Sequence, residues 1–159
     1  MNPDKWKLDA LRKMNRSRSA TLDVLAKLTP AQIRRPKTQG KWAIRDVIAH
    51  IVAWEQEACK RLDMIMQGKA DQIHFYDSKN DTDAFNARAV KRFREHTFPA
   101  LLRQAEEVRK ELVARVRSLP PEEIMNPAHH HPVSVWLPEF AWTHEESHRS
   151  RIYKFIRKV

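Results

Sequence analysis

Glycine occurs only twice in the 159 residues of this chain, at Gly40 and Gly68. No other sequence feature constrains the fold as strongly. Tight β-hairpins lean on glycine at positive φ, so a fold built from many hairpins is disfavoured. Phosphate-cradling loops and dinucleotide-binding turns need several glycines in one turn, and both are excluded. The charged residues, 31% of the chain, sit mostly among Ala, Leu and Gln, which are strong helix formers. Helices are the expectation.

Apolar periodicity divides the chain into four helical segments. The first is predicted from about Asp4 to Lys27. Trp6, Leu8, Leu11, Met14, Leu22, Leu25 and Leu28 recur at mostly helical intervals, and Pro30 closes the stretch. Pro30, Pro36 and Gly40 then punctuate a loop from Thr29 to Lys41. A second helix is predicted from Trp42 to about Gln67, with Ile44, Val47, Ile48, Ile51, Trp54, Ala58, Leu62 and Ile65 forming its apolar stripe. Gly68 stands where a helix-ending residue belongs. The third segment runs from about Thr82 to Leu119, capped by Asp81 or Thr82, with a kink or break expected at Pro99. Its apolar face comprises Phe85, Val90, Phe93, Leu101, Leu102, Ala105, Val108, Leu112 and Val116. Asn126 to Pro138 reads as irregular. Pro138 suits the first turn of a last helix reaching about Arg157, because its missing N–H costs nothing there.

Four amphipathic helices without a convincing strand imply an all-α four-helix bundle, read as one domain over residues 1–159. The second-to-third and third-to-fourth connections both exceed the usual 2–8 residues, so at least one crossover is expected.

The chain carries 30 Lys and Arg against 20 Asp and Glu, a net charge of +10. Such a balance invites a nucleic-acid partner. No helix-turn-helix spacing, RNP-like aromatic signature or Cys/His finger accompanies it, so a basic solvated surface is the expectation and nucleic acid a rival. With Cys59 alone, neither an internal disulfide nor a four-cysteine zinc module can form. No apolar run approaches the roughly 20 residues that span a bilayer. The first residues, Met1 to Trp6, carry charge where a signal peptide would be apolar. A cytoplasmic protein without a membrane partner is expected.

The chemistry-bearing residues lie in two places. His144-Glu145-Glu146-Ser147-His148 puts two imidazoles at i and i+4, one turn apart on one helix face. They fall among Phe140, Ala141, Ile152 and Phe155. His50 sits beside the stripe of Val47, Ile51, Trp54 and Ala58. Packing those faces together would bring three rings toward the interior. Each unmet polar group on a buried imidazole costs about 1–3 kcal/mol. A divalent cation can bind one nitrogen of each ring while the other donates to an acceptor. Imidazoles favour Zn, Ni, Fe or Cu over Mg or Ca, and three ligands leave a fourth position for water or substrate. The bland alternative is a chance HxxxH pair and a His50 satisfied by ordinary partners. Glu55 and Glu145 are candidates to orient a metal-bound imidazole or to act as a base, or else are ordinary acids of an amphipathic helix. His129-His130-His131, in a proline-flanked loop, reads as solvated, with one ring able to reach over the site mouth. His74 and His96 read as surface residues, and Cys59 as a small core hydrophobe. Trp42, Trp54, Trp136 and Trp142 read as core and pocket wall.

Two stretches resemble a known family. Trp42-Ala43-Ile44-Arg45-Asp46-Val47-Ile48-Ala49-His50-Ile51-Val52-Ala53-Trp54-Glu55 is similar to the second-helix signature of the DinB/YfiT-like superfamily: a Trp, an apolar-periodic run, a His, then an aromatic and an acid. His144-Glu145-Glu146-Ser147-His148-Arg149-Ser150-Arg151-Ile152 resembles that family's C-terminal helix, and Phe85-Asn86 fits the opening of its third. The resemblance implies an up-down-down-up bundle with His50, His144 and His148 as a triad for a divalent transition metal such as Zn or Ni. It implies a hydrolase, or an S-transferase using a low-molecular-weight thiol, acting on a small electrophilic substrate. A non-catalytic sequestering protein of the self-resistance type is the alternative. Homodimers are common in the family.

Overall fold

The computed structural model describes residues 1–158. Helix α1 spans Pro3–Leu25, the short α2 spans Pro30–Arg34, and α3 spans Ile44–Met66. After a 3-10 turn at Ala70–Gln72 come α4 (Lys79–Phe93) and α5 (Phe98–Ser118). The chain continues through α6 (Pro121–Ile124) and α7 (Val133–Ala141) to α8 (Thr143–Arg157). Among the described residues the only β-type pairing is an isolated bridge between Gln39 and Trp42.

The directions of the long helices follow from which side chains meet. Lys7 donates to the carbonyls of Arg117 and Leu119, while Arg109 reaches Met14 and Arg18 reaches Ala105. Rising numbers on α1 meet falling numbers on α5, so these two are antiparallel. On α3 and α5, Glu55 pairs with Arg109 and Asp63 with Arg115, a parallel register. Trp6 packs near Trp142, Arg18 pairs with Glu145 and Arg149 reaches Thr21, so α1 and α8 are parallel. Gln39 and His50, preceding and within α3, meet His148 and His144 in that order, so α3 and α8 are antiparallel. The bundle is up-down-down-up. Its crossover is the stretch holding α4, which lies against α3.

The α3 stripe is the centre of the core: Ile44, Val47, Ile48, Ile51, Ala58, Leu62 and Ile65 are all buried. On the facing side, α5 contributes Leu101, Ala105, Val108, Leu112 and Val116. Fully burying one aliphatic side chain of this kind is worth about 1.5–3 kcal/mol, so these two helices dominate packing.

Three expectations need correction. The predicted third helix is two helices, and the break precedes Pro99. Thr97 caps α5 by accepting from the Ala100 amide at 3.2 Å, which puts Pro99 in the first turn, where its missing N–H is harmless. Arg45 holds the loosened end of α4 by donating to the carbonyls of Phe93 and His96 at 3.2 and 2.7 Å. The α4 cap is Ser78, earlier than Asp81 or Thr82. Second, Pro138 does not open the last helix but lies inside α7; the chain leaves helical geometry at Trp142 (φ −143°) before α8 begins. The apolar run Val133–Ala141 buries Val133, Trp136, Leu137 and Ala141, and that packing outweighs the backbone bond lost to proline. Third, Leu8 is exposed although it matches the α1 period, whereas Ser17, Arg18 and Thr21 are buried. The middle of α1 turns a polar face inward for a reason found in the ion network below.

Candidate metal centre and its buried support

Three imidazoles converge at one end of the bundle. His50 comes from α3, nearly two turns past its start; His144 and His148 come from successive turns of α8. The Nε2 atom of His144 lies 2.8 Å from Nε2 of His50 and 2.8 Å from Nε2 of His148. His50 and His148 are buried, 4% and 7% exposed.

Hydrogen-bond accounting fixes what these nitrogens can do. Nδ1 of His50 lies 2.9 Å from Oδ1 of Asn86, and the Trp54 indole N–H donates to that same oxygen at 2.8 Å. An indole nitrogen is only a donor, so the Asn86 atom is an acceptor and His50 carries its proton on Nδ1. The second case is parallel. Gln39 donates through its amide nitrogen to the His148 backbone carbonyl at 3.0 Å, which leaves its oxygen facing His148 Nδ1 at 2.8 Å. His148 therefore also carries its proton on Nδ1. Both rings aim Nε2 lone pairs at Nε2 of His144, which has at most one proton to share. One short N···N contact is left without a hydrogen.

Protonation does not relieve this. Burial, then the neighbouring His144 and His148, pushes His50 down to about 3. Burial likewise takes His144 down to about 4, and burial with the adjacent His144 and Arg151 takes His148 to about 3. All three rings are neutral at physiological pH, the form that ligates metals. Two tautomers fixed by outer hydrogen bonds, and three neutral rings whose Nε2 atoms meet, make a donor set that a divalent transition metal fits.

The histidine shifts set a sign for pH dependence. Their folded values lie below the ordinary 6.5, so the unfolded chain takes up protons first. Without metal, stability is whole above about pH 6.5 and falls as the pH drops toward 3–4. Urea midpoints measured from pH 7 to 4 on metal-stripped protein should decline. His148→Gln should flatten the decline; an unchanged slope would show that the rings are not buried neutral.

Beside the triad is a cavity of about 650 Å³. Its wall is aromatic: Trp42 packs 4.9 Å from the His50 ring, and Trp54 lies against Tyr76 and Phe140 at 5.5 and 5.1 Å. Thr143, Ser147 and Arg151 from α8 supply polar groups to the same lining.

Glu55 and Glu145 stand elsewhere. Neither is among the cavity-lining residues; both are in the bundle interior, 0% and 1% exposed. Arg18 donates to Glu145 at 2.8 Å and to Glu55 at 2.9 Å, and Arg109 donates to Glu145 at 2.8 Å and also to Glu55. Arg109 further binds the carbonyls of Met14 and Ala141. Two guanidiniums and two carboxyl groups form a quartet joining α1, α3, α5 and α8; burial pushes the enclosed Glu55 carboxyl up despite both arginines. Burial alone would raise Glu145, but Arg18 and Arg109 outweigh it and hold the carboxyl below its usual range. Occupied in this way, the two acids lock the helices that carry the histidines.

Sequence reasoning did not find Gln39, Asn86, Arg18 or Arg109. Asn86 was visible only as half of the Phe85-Asn86 pair, and nothing local marks an arginine as buried. Of the remaining sequence candidates, His74 is exposed. His96 is half-buried rather than on the surface, and its Nδ1 has no partner among the described residues. Cys59 is buried, and burial pushes its thiol up to about 12, consistent with a core hydrophobe. His129 lies 3.0 Å from Glu123, away from the triad.

An up-down-down-up bundle with three inward histidines at its open end defines a class of helical proteins, and the sequence agrees with it. The chain matches the DinB superfamily over residues 13–152, a span that contains His50, His144 and His148, and it belongs to that superfamily. Two solved structures share the fold. One is the colibactin self-resistance protein ClbS in complex with a dsDNA, at 13% identity and a TM-score of 0.83, covering 96% of each chain. The other is an uncharacterised protein from Escherichia coli UTI89, at 12% identity and a TM-score of 0.81, covering 96% of this chain and 93% of that one. Among curated proteins, none matches this sequence significantly. No helix among the described residues is long and apolar enough to cross a membrane.

Proposed function

We propose that this protein is a metal-dependent enzyme that holds one divalent transition ion on His50, His144 and His148. It would act as a hydrolase or as an S-transferase for a low-molecular-weight thiol, on a small electrophilic substrate. The observation that carries this reading is the convergence of three Nε2 atoms, with two tautomers pinned from behind by Asn86 and Gln39. An ion held by His50, His144 and His148 would supply Lewis acidity, which makes a water or thiol nucleophile available near neutral pH.

The chain's own residues do the rest. Trp42, Trp54, Tyr76 and Phe140 offer flat apolar surface, which favours substrates with a planar or hydrophobic body. Arg151 adds one cation to the wall, suited to a carboxylate on substrate or thiol. The Arg18–Glu55–Arg109–Glu145 quartet keeps α3 and α8 in register, so the three rings need little reorganisation to bind.

Metal analysis of protein purified without an affinity tag tests the reading. About one equivalent of Zn, Ni, Co, Mn or Fe is expected, followed by turnover in assays of thiol transfer and hydrolysis on electrophilic small molecules. Failure to take up any of these ions would remove the reading. Removing an outer partner is a finer probe: Asn86→Ala and Gln39→Ala should each weaken metal binding by about 10–100-fold. Equal affinity in both variants would mean that the rings are not oriented as described.

A second reading is binding without turnover, with DNA contact. Its support is the net charge of +10 and the likeness in fold to a self-resistance protein solved with dsDNA. It predicts stoichiometric protection against a reactive compound, and duplex affinity that falls steeply with added salt. No measurable duplex binding at low salt removes the DNA part.

A further inference from the structure

A second group of ligating side chains, unused by the function above, has its two histidines packed against Phe75 of the cavity wall. Asp77 follows the 3-10 turn, and His130 and His131 lie in the loop before α7. One donor atom from each lies within 4.8 Å of the others. The Asp77 carboxylate is 3.7 Å from Nε2 of His131, and the two imidazole rings are 4.2 Å apart, tilted rather than splayed. Adjacent histidines in extended chain would point apart; here the bends at residues 129–131 turn both toward Asp77.

Two surroundings hold the arrangement. Phe75 packs edge-on against His131 at 4.6 Å and His130 at 5.8 Å, and lines the cavity as well. Tyr76, between Phe75 and Asp77, has φ +54°, a left-handed conformation uncommon for a bulky residue. That turn places the Tyr76 ring on the cavity wall and the next carboxylate on the histidine side. His129 is excluded from the cluster because it is engaged with Glu123.

We propose that Asp77, His130 and His131 form a second divalent-metal site, taking Zn²⁺, Ni²⁺ or Cu²⁺ through two imidazoles and one carboxylate. That donor set suits borderline transition ions rather than Mg²⁺ or Ca²⁺. Metal–ligand bonds of about 2.1 Å bring ligand atoms to within about 4 Å of each other, so exposed side chains have little distance to close. The ion would join the segment after the 3-10 turn to the loop before α7, beside Phe75. The site stands independently of the interior triad.

The test is titration of the untagged full chain with Ni²⁺ by calorimetry, comparing wild type with His130→Ala/His131→Ala, Asp77→Asn and His129→Ala. Two classes of Ni²⁺ are expected in wild type. The double variant should lose the weaker class and Asp77→Asn should weaken it about tenfold or more, while His129→Ala leaves both. If only the class abolished by the double variant is found, this proposal stands and the interior metal site fails. A weaker class that survives the double variant overturns the proposal. So does unchanged affinity in Asp77→Asn, which would reduce the site to a bare histidine pair, and so does a weaker class lost in His129→Ala.

Discussion

Arg109→Ala is expected to destabilise the fold by about 3–5 kcal/mol, a fall in melting temperature of roughly 6–20 °C for a chain of this size. The cause is not the loss of one attraction. Glu55 and Glu145 would remain buried with Arg18 as their only cation, and an uncompensated buried charge is far more costly than an absent pair. The backbone carbonyls of Met14 and Ala141 would each lose the Arg109 donor as well. A double variant, Arg109→Met with Glu55→Met, removes one arginine together with one of its acids and fills the volume, so it should be more stable than Arg109→Ala. Chemical denaturation of the two variants and wild type is the measurement. A loss below about 1 kcal/mol in Arg109→Ala would show that the quartet is solvated rather than dry.

His144→Ala with His148→Ala is expected to abolish interior metal binding. Structural zinc binding of about 10–16 kcal/mol, shared among four ligands, makes each ligand worth on the order of a hundred- to a thousandfold in affinity. Losing two of three leaves only His50. The apo fold should survive, because the change removes buried polar rings rather than creating buried charge, and a circular dichroism melt can establish that before metal is measured. Retention of the wild-type interior stoichiometry in a folded double variant would refute the assignment. The acid sensitivity of metal-stripped protein should shrink in the same variant, which gives a readout that needs no substrate.

Particular residues show which kinds of inference the sequence supports. The stripe from Ile44 to Ile65 is buried throughout, because a period of 3.6 on a long helix leaves little choice of which face turns inward. His144 and His148 were legible as a pair for the same reason, since i and i+4 share a face wherever the helix goes. Leu8 misled because the face of α1 that turns inward runs through Ala10, Met14, Ser17 and Thr21, and Leu8 lies on the far side of the helix. Pro138 misled because its neighbours' apolar burial outweighed one missing hydrogen bond. Arg18 and Arg109 were invisible: an arginine becomes a buried group only when a carboxylate from another helix is brought to meet it.

What local sequence determined is therefore the set of helices and the faces they bury, since both follow from residue spacing and glycine scarcity along a short stretch of chain. Tertiary structure decided which nitrogen of each imidazole points inward. That choice depends on Asn86, 36 residues from His50, and on Gln39, 109 residues from His148. It decided equally that Glu55 and Glu145 are held by arginines inside the bundle. Hydrogen bonds and ion pairs act over a few ångströms, and only the crossing of helices brings such distant residues that close.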